Sequence, residues 1–122
     1  MHEEDFVLKD EIEFEIEGKK FIYKPVNAGD ELKWVQEYLE IIDGKAVQNF
    51  EKKTICKLRN LLKVPYDQET INTVIKIDKK WENLNKDQRW QFLSRLKPLL
   101  FDKIINNLNS IDSSDNMKVK KN

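Results

Sequence analysis

Four glutamates at every second position, Glu11, Glu13, Glu15 and Glu17, make the densest carboxylate array in the chain. Carboxylates this close could hold a metal ion or share protons. A period of two is also the pattern of one face of a β-strand. Lys20 and Lys24 follow where a facing strand would run, so a charge-balanced solvent face explains the same residues. His2, the single histidine, opens His2-Glu3-Glu4-Asp5, a weak metal-binding pattern that a solvated acidic terminus explains equally well. Cys56 is the single cysteine, which rules out an intrachain disulfide and a cysteine-based zinc site. No histidine and no Gly-rich elbow lies near it in sequence, as a thiol nucleophile would require. No P-loop, dinucleotide fingerprint or metal-ligand spacing occurs. These features predict no enzymatic activity, no cofactor and no metal site.

The remaining candidates are binding surfaces. Lys45, Lys52, Arg59 and Lys63 recur at helical spacing and would share one basic face of a helix. That face is either solvated or meets an acidic partner. Nucleic acid is less favoured, because the formal net charge is zero and no aromatic residues interleave with the stripe. Phe101 and Ile105, with Trp90, form an apolar stripe flanking the main one of the last helices. It is either core or a partner interface.

The elements that must position these residues are readable. Taking Gly18-Lys19 as a type II′ turn, the hairpin over 11–25 pairs Phe14 with Tyr23 and Ile16 with Phe21. The other face then sets Glu17 against Lys20 and Glu13 against Lys24, with Glu15 against Ile22. Phe6-Val7-Leu8 is either a third strand or a docking arm, and Pro25 ends the second strand. Asn27 is an N-cap with Asp30 at N3, opening a helix to about Asp43, with Gly44 as its C′ residue. Leu32, Val35, Leu39 and Ile42 form its apolar stripe, widened by Trp34, Tyr38 and Ile41. A second helix is predicted over about Lys45 to Leu62, broken by Pro65. A short third, capped by Asp67, carries Ile71, Val74 and Ile75. Asn85 and Gln88 form a capping box ahead of helices at about 86–97 and 98–110, divided by Pro98. Leu93, Leu96, Leu100, Ile104, Leu108 and Ile111 line these two.

The fold class is mainly α with an N-terminal β-hairpin (α+β), the hairpin packed on a bundle of four to five helices. At 122 residues the chain suits one domain, spanning 11–111 with a helical body over 28–111. An acidic arm occupies 1–10 and a disordered tail 112–122. Residues 1–17 hold eight acids against Lys9, a net charge of −7 that the rest balances with +7. That asymmetry either shields the body or draws neighbouring copies together, so homo-oligomers are expected among the partners. No apolar run nears the roughly 20 residues of a bilayer span, and the acidic opening is unlike a signal peptide. No membrane association and a cytoplasmic location follow.

The stretch "FEIEGKKFIYKPVNAGDELKWVQEYLEII" resembles the opening of bacteriophage tail assembly chaperones. It has their hydrophobic-x-hydrophobic-x-G-K-x-hydrophobic hairpin and a K-P-x-x-A-G-D/E junction into a helix. "WENLNKDQRWQFLSRLKPLLFDKII" is similar to the helical ends of such small phage tail-morphogenesis proteins. The likeness touches about half the chain and leaves residues 45–80 unmatched. It implies a non-enzymatic adaptor in the host cytoplasm that binds tape-measure or tail-tube proteins. Gly18, Pro25, Gly29 and Asp30 carry over as a structural junction. The alternatives are a baseplate or neck subunit of the virion, or a nucleic-acid-binding accessory protein using the Lys45/Lys52/Arg59/Lys63 face.

Overall fold

The computed structural model describes residues 11–121, with side chains through Ser113. The acidic arm, the His2 to Asp5 pattern and the Phe6-Val7-Leu8 strand candidate lie outside the described residues. The class is α+β, with five helices and five strands among the described residues.

Alternating apolar residues make β1 (Ile12–Ile16) and β2 (Lys19–Tyr23) an antiparallel pair. Their register corrects the sequence expectation. Phe14 faces Phe21, Glu15 faces Lys20 and Glu13 faces Ile22. The turn is Glu17-Gly18, with φ of 51° and 80°. Positive φ at both central positions is the mark of type I′, whose twist matches that of the flanking strands. Moving the turn by one residue moves every partner by two, so each side chain keeps its expected face. The gain is the stacked Phe14–Phe21 pair, 5.1 Å between centroids. The third strand of this sheet is β5 (Leu61–Lys63), antiparallel to β2. Those residues were expected at the end of a helix.

Asn27 and Asp30 close a capping box on α1 (Ala28–Tyr38). Asp67 caps α3 (Gln68–Ile75), and Asn85 with Gln88 caps α4 (Lys86–Leu93). Between them lie α2 (Phe50–Lys57) and two 3-10 turns, Leu58–Asn60 and Trp81–Asn83. Helix α4 stops short of the expected 97, since a residue before proline resists helical geometry. Helix α5 (Pro98–Lys121) then starts at the proline, whose missing N–H costs nothing there. It continues through the segment expected to be a disordered tail.

A chain of aromatic contacts ties sheet to helices. Phe21 meets Tyr66 at 6.3 Å, Tyr66 meets Phe92 at 5.2 Å, and Phe92 meets Trp81 at 5.9 Å. Ile104 and Leu108 of α5 are buried against the same core. Asp112 explains why α5 stays helical past 111. Its carboxylate accepts from the Tyr23 hydroxyl at 2.9 Å and the Val26 N–H at 2.9 Å. Lys57 Nζ sits 3.0 Å away. Burial, with the Asp112 charge beside it, drives the Tyr23 phenol far above its ordinary range. An Asp112→Ala substitution strands the buried Tyr23 hydroxyl and one backbone donor. A loss of about 2–3 kcal/mol is expected, read as a lower urea midpoint with unchanged slope.

Candidate protein-docking surface

Helix α1 ends without a glycine cap. Leu39 turns extended, at φ −88° and ψ 131°, and the chain enters a strand directly. β3 (Leu39–Ile42) and β4 (Lys45–Gln48) form a second, separate antiparallel pair. The Asp43-Gly44 turn takes φ of 52° and 77°, again the type I′ signature. This pair corrects two expectations together: α1 does not reach Asp43, and no helix begins at Lys45. Aspartate-glycine between β-branched residues is the local signal for such a hairpin. The helical spacing of Leu32, Val35, Leu39 and Ile42 masks it.

The register sets Leu39 opposite Gln48, Glu40 opposite Val47, Ile41 opposite Ala46 and Ile42 opposite Lys45. Alternation then places Leu39, Ile41 and Ala46 on one face and Ile42 and Val47 on the other. Neither face is covered by the described residues: Ile41 is 71% exposed, Ile42 50% and Val47 42%. Phe50, at the root of the hairpin on α2, is 77% exposed. No other described element packs extensively on β3 or β4. A two-stranded hairpin is marginal alone and normally needs an apolar face covered. Apolar side chains displayed this way are characteristic of protein contact surfaces.

The root is rigid. Asn49 N–H donates to Tyr38 O at 2.7 Å. The Asn49 side chain caps α2 by accepting from Lys52 N–H at 3.0 Å, and its amide donates to Glu40 Oε1 at 3.0 Å. Lys52 Nζ reaches the same oxygen at 2.9 Å. These hydrogen bonds, from Lys52 and then Asn49, hold the Glu40 carboxyl below the ordinary carboxylate range. The sign is therefore fixed. Anchoring by Glu40 is complete above the unfolded glutamate pKa of about 4.3 and is lost as pH falls through the depressed folded value. Hairpin amide protection factors, corrected for the pH dependence of intrinsic exchange, should fall over that acidic window, and Glu40→Gln should remove the pH step.

Beside the root lies a cleft of about 510 Å³, lined by Glu37, Asn49, Glu51, Lys52, Ile55, Cys56, Lys86 and Asp87. Burial pushes the Cys56 thiol upward, opposite to the shift that makes a thiolate nucleophile. Hydrogen bonds from Arg59 hold the Glu37 carboxyl below its usual range. No group of three or more potential metal ligands occurs among the described residues. No helix among them is long and apolar enough to cross a membrane.

The basic residues expected on one helix face are dispersed. Lys45 sits on β4, Lys52 on α2, Arg59 in the first 3-10 turn and Lys63 on β5. Lys52 is paired with Glu40, and Arg59 makes two bonds to Glu37, at 2.7 and 2.9 Å, while stacking over Trp34. The single helix that would carry the stripe is absent because two strands, β4 and β5, and a 3-10 turn take up much of its expected length. Phe101 and Ile105 are half-buried against the core, with Phe101 edge-on to Trp90 at 5.5 Å. Gly18 forms the first turn and Pro25 is fully buried. Gly29 packs behind the Asn27 cap, where an added Cβ would lie 3.3 Å from Asn27 Oδ1. Asp30 also accepts from the buried Asn60 amide at 3.2 Å.

Comparison with protein-family models, with curated proteins and with solved structures gives no match.

Proposed function

We propose that this chain is a non-enzymatic protein-binding adaptor that engages its partner through the β3–β4 hairpin and Phe50. The observation that carries this is a hairpin, anchored at its root, whose apolar side chains no other described element covers extensively. Covering each large apolar side chain is worth roughly 1.5–3 kcal/mol, so a partner gains most of its affinity from a few residues. Such a hairpin suits two kinds of partner segment: an extended strand added to an edge, or an amphipathic helix laid across a face. The four basic residues lie on β4, α2, a 3-10 turn and β5, and Lys52 and Arg59 are paired with glutamates, which favours the adaptor reading over nucleic acid.

The hairpin-to-helix junction and helical C-terminal half extend the proposal to a role like that of a phage tail assembly chaperone. In that role the hairpin holds apolar segments of tape-measure or tail-tube proteins and keeps them soluble until assembly. Co-expression with tape-measure-type and tail-tube-type proteins from the same gene cluster tests it. One of them should become soluble and co-elute, and the chain should be missing from finished particles. Failure of every such protein to co-elute or gain solubility would sink the proposal. Retention in purified particles would make the chain a virion subunit instead.

A further inference from the structure

We propose that two copies of this chain join edge to edge through β4, extending two hairpins into one four-stranded antiparallel sheet. The phase of the hairpin ladder is set by the Asn49 N–H to Tyr38 O bond. Hydrogen-bonded pairs alternate with non-bonded ones in an antiparallel ladder. Lys45 and Val47 therefore point their backbone groups at β3, while Ala46 and Gln48 point theirs outward. All four β4 residues are exposed, and no described strand pairs with the outer edge.

A two-fold axis through Val47 satisfies each outward group. Ala46 exchanges both backbone hydrogen bonds with Gln48 of the second copy, and Gln48 does the same with Ala46. Val47 then faces Val47 across the axis, and Lys45 faces the neutral Asn49. No charge opposes a like charge.

The other free edges fail the same operation. On β3 the outward groups are those of Leu39 and Ile41, and the equivalent axis through Glu40 sets two carboxylates against each other. On β1 they are those of Glu13 and Glu15, and the axis through Phe14 opposes them directly. Like charges directly opposite destabilise a pairing. β5 has only three residues to offer. Of these pairings, each centred between two outward-pointing residues, the β4 one combines exposure, unpaired backbone and charge compatibility. Contact along one short strand is smaller than the roughly 800 Å² per partner of a stable interface. The dimer is therefore weak, with a dissociation constant on the order of 10 µM.

Sedimentation velocity from about 1 to 200 µM tests the proposal, supported by two substitutions at an exposed site. The wild type should shift from monomer to dimer. Val47→Lys, which places two ammonium groups on the axis, should stay monomeric throughout. Val47→Cys should form a disulfide-linked dimer on mild oxidation by diamide, while Ile41→Cys should not. Cys56 is buried and does not interfere. A wild type monomeric at 200 µM would overturn the proposal. So would a dimer that survives Val47→Lys, or Val47→Cys failing to cross-link. A monomer that still captures its assembly partner would refute β4 pairing and leave the adaptor reading intact.

Discussion

Replacing Arg89 with methionine should lower stability by about 3 kcal/mol and the thermal midpoint by on the order of 10 °C. Arg89 is 6% exposed and forms no ion pair with a carboxylate among the described residues. Its charge is held by carbonyl oxygens instead. Nη1 donates to Leu58 O at 2.7 Å, Arg59 O at 3.0 Å and Leu61 O at 3.1 Å, and Nη2 donates to Trp81 O at 3.2 Å. The guanidinium also lies over the Trp81 ring, 5.1 Å from its centroid. These carbonyls lie in the first 3-10 turn, at the start of β5 and at the start of the second 3-10 turn, so one side chain fastens three segments. Methionine fills similar space and relieves the cost of burying a charge, which shows here as a lowered guanidinium pKa caused by desolvation. That relief is outweighed by the loss of four charge-assisted bonds. Leu61 O keeps the bond from Trp81 Nε1 at 2.7 Å, Leu58 O that from Leu61 N–H and Trp81 O that from Leu84 N–H, while Arg59 O loses its side-chain donor. Arg89→Lys should fall between, because one ammonium cannot span four oxygens. Equilibrium urea unfolding of the three proteins gives the order directly.

The second large effect concerns binding. Ile41→Asp with Phe50→Asp should weaken capture of the assembly partner at least about 100-fold, since two apolar anchors worth roughly 1.5–3 kcal/mol each are lost. Both side chains are more than 70% exposed, so the thermal midpoint should not move. Leu99→Asp is the matched control. Leu99 is 68% exposed, yet it lies on α5, away in sequence from the hairpin. Its partner affinity should equal that of the wild type when titrated by calorimetry.

Local signals were legible in the sequence and long-range ones were not. Asn27 with Asp30, Asp67, and Asn85 with Gln88 each satisfy orphan helix N–H groups within three residues, so the caps can be read from neighbours alone. The faces of the first hairpin follow from alternation, whereas its register depends on which residue precedes the left-handed Gly18. Glu17 accepts that conformation so that Phe14 can stack on Phe21. The second hairpin was hidden because its apolar residues fit both a helical stripe and two short strands. The Asp43-Gly44 turn decided between them. Of the residues singled out for partner binding, only Lys45 lies on the exposed hairpin; Lys52, Arg59 and Lys63 were expected beside it on one helix that does not form, and Phe101 and Ile105 lie on α5. Nothing local in the sequence marks Arg89, and Asp112 falls in the expected tail; only tertiary packing assigns them their partners.

The most direct measurement of the docking role is amide hydrogen exchange, followed by mass spectrometry, on the chain alone and bound to a tape-measure-type or tail-tube-type protein. Peptides covering Leu39 to Phe50 should gain more protection on binding than any others, while peptides from α3 and α5 stay unchanged. Unchanged exchange across Leu39 to Phe50, with new protection elsewhere in a bound complex, would contradict the assignment of this hairpin as the docking element.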